Sequence, residues 1–215
     1  MAAKKKAPSR KGTSRPKDLQ KATKSSREIK KSKRRSPLSR ADGELRLIQA
    51  ALYLTRRQPF SVVGVRDIAE RADVNHGFVH TWFGGKTELF LAVRTYLARS
   101  IADRINSAEA NILSSDALFD EDVVHLVKLN AWLVLEGETE LRAIENQPVL
   151  SAMSNSLQRV HGISGQDSQM AAQLSSALVF GTVIFGPAMG IEDDPEKLAA
   201  FWRHMLGLLA KNPWS

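Results

Sequence analysis

Residues 62–93, VVGVRDIAERADVNHGFVHTWFGGKTELFLAV, constrain this chain more tightly than any other stretch. They read as two short helices joined by a turn, then a glycine pair and a third helix. Arg66 to Arg71 forms the first piece, with Val65, Ile68, Ala69 and Ala72 at helical spacing on one inward face. Ala72-Asp73-Val74 is too short for a loop and contains no proline, so it reads as a compact turn. Asn75 suits the N-cap of a second helix, from His76 to Phe83. Val79 and Phe83, four apart, can then pack against Ile68 and Ala69. The residues left outside are His76, Gly77, Phe78, His80, Thr81 and Trp82. A solvated face normally carries Glu, Lys or Gln. Here it carries aromatics, imidazoles, a hydroxyl and a glycine, a surface suited to meeting a partner at close range. A helix-turn-helix whose second helix lies in the DNA major groove is the economical explanation.

At this point the pattern becomes specific. Gly64-Val65-Arg66-Asp67-Ile68-Ala69, then Ala72-x-Val74-Asn75-x-Gly77, then Phe83-x-x-Lys86-x-Glu88-Leu89 resembles the DNA-binding domain of the TetR family of transcriptional regulators. The resemblance covers residues 44 to 96. It departs from the family at three positions. Asp73 stands at the turn glycine, so the turn holds a left-handed Asp or bends differently. Phe78 replaces a small hydroxyl residue, and His80 replaces the aromatic that follows. Both would touch DNA, so the operator should differ from those of better-matched relatives.

The resemblance implies an all-α fold: an N-terminal three-helix DNA-binding domain, then a helical ligand-binding and dimerisation domain. It implies a homodimer on a palindromic operator in double-stranded DNA, released by a small-molecule effector, with the last two helices forming a four-helix bundle with the symmetry mate. On DNA, Arg66 would reach a base edge, preferably guanine, and Gly77 would permit close backbone approach. His76, Phe78, His80 and Thr81 would meet bases or thymine methyls, while Trp82 and Lys86 would hold phosphates.

Charge divides the chain. Residues 1 to 40 hold sixteen Lys or Arg against Asp18 and Glu28, a net of +14. The whole chain is +8, so the other 175 residues carry −6. The basic segment has only Leu19, Ile29 and Leu38 as sizeable apolar side chains, too little burial to offset its ordering entropy, and reads as a disordered tail. No apolar run follows its charges, so it does not read as a signal peptide. It suits the phosphate backbone of DNA; the blander reading is a solubilising tail. The organisation expected is therefore a tail at 1–40, a helix-turn-helix domain at 41–90 and a helical effector and dimerisation domain at 91–215. The compartment expected is the cytoplasm, at the nucleoid.

Residues 41 to 57 start a supporting helix at Asp42, with Leu45, Ile48, Ala51 or Leu52, and Thr55 at helical spacing; Gln58-Pro59 stops it and Phe60 plugs the small core. Gly84-Gly85-Lys86-Thr87 suggests a phosphate loop, but His80 stands where that pattern needs a glycine and no strand precedes it. The better use is at a helix N-terminus, where Lys86 and free amides hold one DNA phosphate. A long helix follows, from about Thr87 to Ile112.

Beyond it, Asp120 to Glu136 places Val123, Leu126, Val127 and Val134 on one stripe with His125, Lys128 and Glu136 opposite; Asn130 lies within the stripe. That amide is either a helix–helix hydrogen bond or a polar group in a ligand cavity. Pro148 to Val160 is another helix. Ser168 to Gly190 is the most apolar stretch, too short and too rich in Ser, Gly and Pro for a membrane span, and reads as a buried helix ended by Pro187. Asp194-Pro195 opens a last helix, with Leu198, Phe201, Trp202, Met205, Leu208 and Leu209 as its stripe. A mostly apolar pocket among these helices would use Asn130, Trp132, Met153, Phe180, Thr182, Phe185 and Met189 and take a hydrophobic molecule.

Cysteine is absent, which removes disulfides, thiolate metal sites and cysteine nucleophiles. His76 and His80 stand at i and i+4, but no third ligand is near, so no metal is expected. No nucleophile–base pairing and no cofactor loop is visible, so neither an enzyme nor a cofactor is expected. The rival from another class is an architectural protein that coats DNA non-specifically through its basic tail.

Overall fold

The first described helix is set by a serine. Ser39 is extended, and its hydroxyl accepts the Asp42 amide at 3.1 Å, so α1 runs Arg40–Thr55. The computed structural model describes residues 38–107, 113–138, 147–190 and 194–214, and every regular element among them is an α-helix. Residues 1–37 of the expected tail lie outside the described residues, while its last two, Ser39 and Arg40, belong to the start of α1. After α1 come α2 (Val65–Ala72), α3 (Gly77–Trp82), α4 (Lys86–Ser107) and α5 (Ser115–Leu118). Then follow α6 (Glu121–Leu135), α7 (Pro148–His161), α8 (Gly165–Met189) and α9 (Pro195–Lys211).

Two apolar cores organise these helices. The first joins Leu47 and Ala51 of α1, Ile68 and Ala69 of α2, Val79 of α3, and Leu89, Phe90, Val93 and Leu97 of α4. It continues without a break into Leu126, Leu129 and Leu133 of α6. Val79 is fully buried, worth about 1.5–3 kcal/mol by area removed from water, and is the pin that fixes the six-residue α3 to the rest. The second core gathers Leu118, Val127, Met153, Leu157, Ala171, Ala172, Val179, Ala199 and Leu206 around α7, α8 and α9. α4 spans both; the sequence reading carried this helix on to Ile112, and residues 108–112 lie outside the described residues.

Several faces differ from the sequence reading. On α1 the inward side chains are Leu47, Ala50, Ala51 and Thr55, while Leu45 is exposed. On α6, His125 is buried and Val134 is 59% exposed, so the expected stripe is turned by about one residue. α8 does not stop at Pro187: the proline sits inside the last turn and the helix ends at Gly190, in left-handed conformation. Nor is α8 wholly buried, since Leu174, Phe185 and Met189 are exposed. By length and composition alone α8 is long and apolar enough to cross a membrane. Its inner face carries buried Ser168 and Ser175, with the Ser168 hydroxyl 2.8 Å from that of Ser154 on α7. On α9, Asp194 caps the amides of Glu196 and Lys197 and Pro195 takes the first position, as read. Its stripe, however, leaves Phe201, Met205 and Leu208 exposed.

Candidate nucleic-acid interface and the cavity behind it

The turn between α2 and α3 sets the geometry of the interface. Asp73 adopts φ 54°, ψ 45°, the left-handed conformation that glycine usually supplies. The Asp73 amide donates to Glu70 O and the Val74 amide to Ala69 O, closing α2 with paired reverse bonds. At the other end of α2, the Asp67 carboxylate accepts the Gly64 amide at 3.2 Å. α3 then starts at Gly77. His76 already has helical angles, and Asn75 acts one step earlier than a standard cap, its side-chain oxygen accepting the Gly77 amide at 2.8 Å.

Once Val79 is buried, helical geometry turns His76, Gly77, Phe78, His80 and Thr81 outward, and all five are exposed. The Thr81 hydroxyl donates to Gly77 O at 3.1 Å, which leaves its lone pairs outward. Trp82 is half-buried against the first core, and Phe78 stacks flat upon it, centroids 4.3 Å apart and planes within 6°. The outer face of Phe78 is therefore a rigid apolar plate, and Trp82 is its support. Arg66, on the first turn of α2, is exposed.

Lys86 opens α4, at the helix N-terminus where the sequence reading placed it, and makes contacts within the protein that the reading did not include. Its ammonium donates to Ser61 O at 3.2 Å and lies 5.5 Å from the Phe90 ring centre and 5.8 Å from that of Trp132. Burial lowers its pKa, and the charge of Glu136 works in the opposite direction. A contact that the sequence reading missed joins α1 to α2: the Arg57 and Arg71 guanidiniums lie 3.6 and 3.1 Å from the Tyr53 ring centre. Its signal was present, since Tyr53 and Arg57 stand at i and i+4.

Behind this unit, α6 is fastened to α1. His125, 5% exposed, lies 3.0 Å from the Thr55 hydroxyl through Nε2. That hydroxyl donates to Ala51 O at 2.9 Å, so Nε2 carries the hydrogen and donates to Thr55. Burial first, and the nearby Arg56 charge second, push the imidazole down to about 4. Beside it Asp122 accepts both Arg56 and Arg104, the latter at 2.7 Å, and Arg104 also reaches Asp120 at 2.6 Å.

A cavity of about 390 Å³ opens between α4, α5, α6, α7 and α8. Its walls are Ile101, Ile105, Val123, Leu126, Val127, Val149, Met153, Val179 and Phe180, with Ser114, Ser175, Ser176, Arg104, Asp116 and Asp120 as polar lining. Of the residues that the sequence suggested for a pocket, Met153 and Phe180 line it. The other five do not. Asn130 accepts a hydrogen bond from Arg94, and Trp132 stacks on Phe60 and meets Phe90 edge-on. Thr182, Phe185 and Met189 lie further along α8, the last two 58% and 71% exposed. Among the described residues no group of three or more His, Asp or Glu could hold a metal.

The chain is similar to several known proteins. Residues 47–93 match the bacterial regulatory proteins of the tetR family. Over 166 residues the chain is 28% identical to the HTH-type transcriptional repressor Rv3405c of Mycobacterium tuberculosis, covering 75% of this chain and 85% of that one. The same values hold for the HTH-type transcriptional regulator Mb3439c of Mycobacterium bovis. In fold, the chain is similar to the TetR family repressor AlkX of Dietzia sp., implicated in n-alkane biodegradation. The TM-score is 0.54 at 16% identity, over 78% of this chain and 95% of AlkX. Salmonella enterica GusR gives 0.54 at 18% identity, over 79% and 95%.

Proposed function

We propose that the chain is a DNA-binding transcriptional regulator of the tetR family, not an enzyme, and that it acts as a homodimeric repressor released by a hydrophobic small molecule. The observation that carries this reading is the outward face of α3. Its only buried side chain is Val79, and its exposed residues are a glycine, an aromatic plate, two imidazoles and a hydroxyl. Phe78, braced by Trp82, presents an apolar surface suited to thymine methyls; His80 and Thr81 offer hydrogen bonds to base edges. Arg66 approaches from α2, with guanine as its natural partner. Arg57 and Arg71 supply positive charge beside them.

Dimerisation rests on the outer faces of α8 and α9. Leu174, Phe185, Met189, Phe201, Met205 and Leu208 are all exposed, more large apolar surface than a monomer leaves uncovered. Pairing α8 and α9 with their copies would cover that surface and set two α3 helices on one side of the dimer. The effector would enter the 390 Å³ cavity, within the size range of small-molecule sites, whose α4 wall runs directly to the DNA-binding unit. The working compartment is the cytoplasm. Lys86 serves as a brace between α4 and Ser61, with Trp132 of α6 over it, and not as a phosphate contact.

The test compares base preference among variants. Arg66→Ala and Phe78→Ala should each lose about 1–3 kcal/mol per half-site and relax preference at one position of the selected DNA site. Unchanged selected sites in both variants would place the reading face elsewhere.

A further inference from the structure

The cavity has a division of chemistry that bears on what it binds. Its inner wall is apolar, from Leu126 and Val127 through Met153 to Val179 and Phe180. The serine beside them is already occupied: the Ser175 hydroxyl donates to Ala171 O at 2.7 Å and accepts the Trp202 indole N–H at 2.7 Å. Ser176 reaches only the Met153 sulfur, at 3.9 Å. Ser176 can still give a guest one hydroxyl, but no charged side chain lies inside, so a guest's charge must sit at the mouth.

The mouth carries Arg104, Asp116 and Asp120. Arg104 is spent, with one guanidinium nitrogen on Asp122 at 2.7 Å and another on Asp120 at 2.6 Å. Asp120 uses that same oxygen, Oδ1, to hold the Asp122 amide at 2.9 Å, which leaves its Oδ2 outside these bonds. Asp116 is exposed at the rim. Arg104 and Asp120 pair with one another, so the charge in excess at the mouth among the described residues is the exposed Asp116 carboxylate, beside which Asp120 keeps Oδ2 as an acceptor. An anionic guest would meet Asp116 and Asp120 with its only cation already engaged, whereas a cationic one would gain from both.

We propose that this cavity is a site for hydrophobic monocations, the apolar body lying against Met153, Val179 and Phe180 and the charge at Asp116 and Asp120. The assignment rests on the ligand-responsive reading above for its role in DNA release, but not for binding itself. A quaternary ammonium or aryl amine matches this chemistry; a fatty acid or other carboxylate does not.

Calorimetry on the full chain with three probes of one shape tests it: phenylbutyltrimethylammonium, its uncharged tert-butyl isostere, and phenylbutyrate. The ammonium should bind about tenfold more tightly than the neutral isostere, and the carboxylate more weakly than both. Asp116→Asn, an exposed and near-isosteric change, should bring the ammonium close to the neutral isostere and leave the isostere unmoved. Asp120→Asn, which keeps a capping oxygen for α6, provides a second variant with the same expectation. A neutral or anionic probe binding as tightly as the ammonium would overturn the assignment, as would an ammonium indifferent to both variants or the failure of all three probes to bind. Operator occupancy, measured in parallel, separates the two readings. Release by the neutral probe with no advantage for the ammonium overturns the charge assignment and leaves ligand response standing. Tight ammonium binding that leaves the operator occupied supports the site and sinks ligand response.

Discussion

His125 shows what one side chain does at the joint between the DNA-binding unit and the helices behind it. It is neutral and buried, donates to Thr55, and has Arg56, Asp122 and Lys128 as the charged groups acting on it. Its folded pKa of about 4 lies below the ordinary 6.5, so the unfolded chain binds the proton more readily. Its contribution to stability is therefore complete above pH 6.5 and lost progressively as pH falls from 6.5 to 4. Between pH 7.5 and pH 5 this amounts to about 2 kcal/mol of unfolding free energy. His125→Gln retains an N–H for Thr55 and cannot titrate, so denaturant unfolding of this variant should lack that component of the pH dependence. Identical pH profiles for the two proteins would place the His125 proton elsewhere. At the same scale, Asp73 pays no visible penalty in position. It holds a left-handed turn, a conformation that glycine usually supplies, and the bonds from the Asp73 and Val74 amides to Glu70 and Ala69 close it.

Among the elements, the proposed dimer rests on α8 and α9. Phe201 is 65% exposed on the outer face of α9, so Phe201→Glu should leave the fold intact and give a monomer by sedimentation. Losing the second recognition helix should then weaken binding to a palindromic site by about 100-fold or more. A dimeric Phe201→Glu protein would move the interface to another surface. Local signals made much of this legible beforehand. The spacing of Ile68, Ala69, Val79 and Phe83 and the Asp194-Pro195 start are decided within a few residues, and the structure carries both; at Asp73 it adopts the left-handed one of the two readings left open. What was not legible depends on distant partners. α6 and α8 are apolar nearly all round, so composition does not say which side faces inward. His125 was placed opposite the stripe and is buried because Thr55, seventy residues away, receives it. Phe185 and Met189 were assigned to a pocket on apolarity alone, and the turn of α8 carries them to the outer face. The cavity's charged mouth comes from α4, α5 and the start of α6, three segments whose polar residues look like ordinary solvated surface in sequence.

For the whole molecule, the decisive feature is the separation of two kinds of DNA binding. The first forty residues carry +14 and the rest −6, so on the proposed reading non-specific attraction and sequence reading would reside in different parts of the chain. Salt-dependent affinity for any DNA would then belong to the first part, and base preference to α2 and α3. The most direct measurement is selection of binding sites from random duplex DNA with the full chain and with a variant lacking residues 1–36. The account predicts that both proteins enrich the same palindrome, with half-site centres about 34–36 Å apart or a multiple of that, bound by an even number of protomers. The shortened chain should bind random DNA more weakly at low salt. An absence of any enriched sequence, or enrichment that disappears with residues 1–36, would contradict it and leave a protein that holds DNA by charge alone.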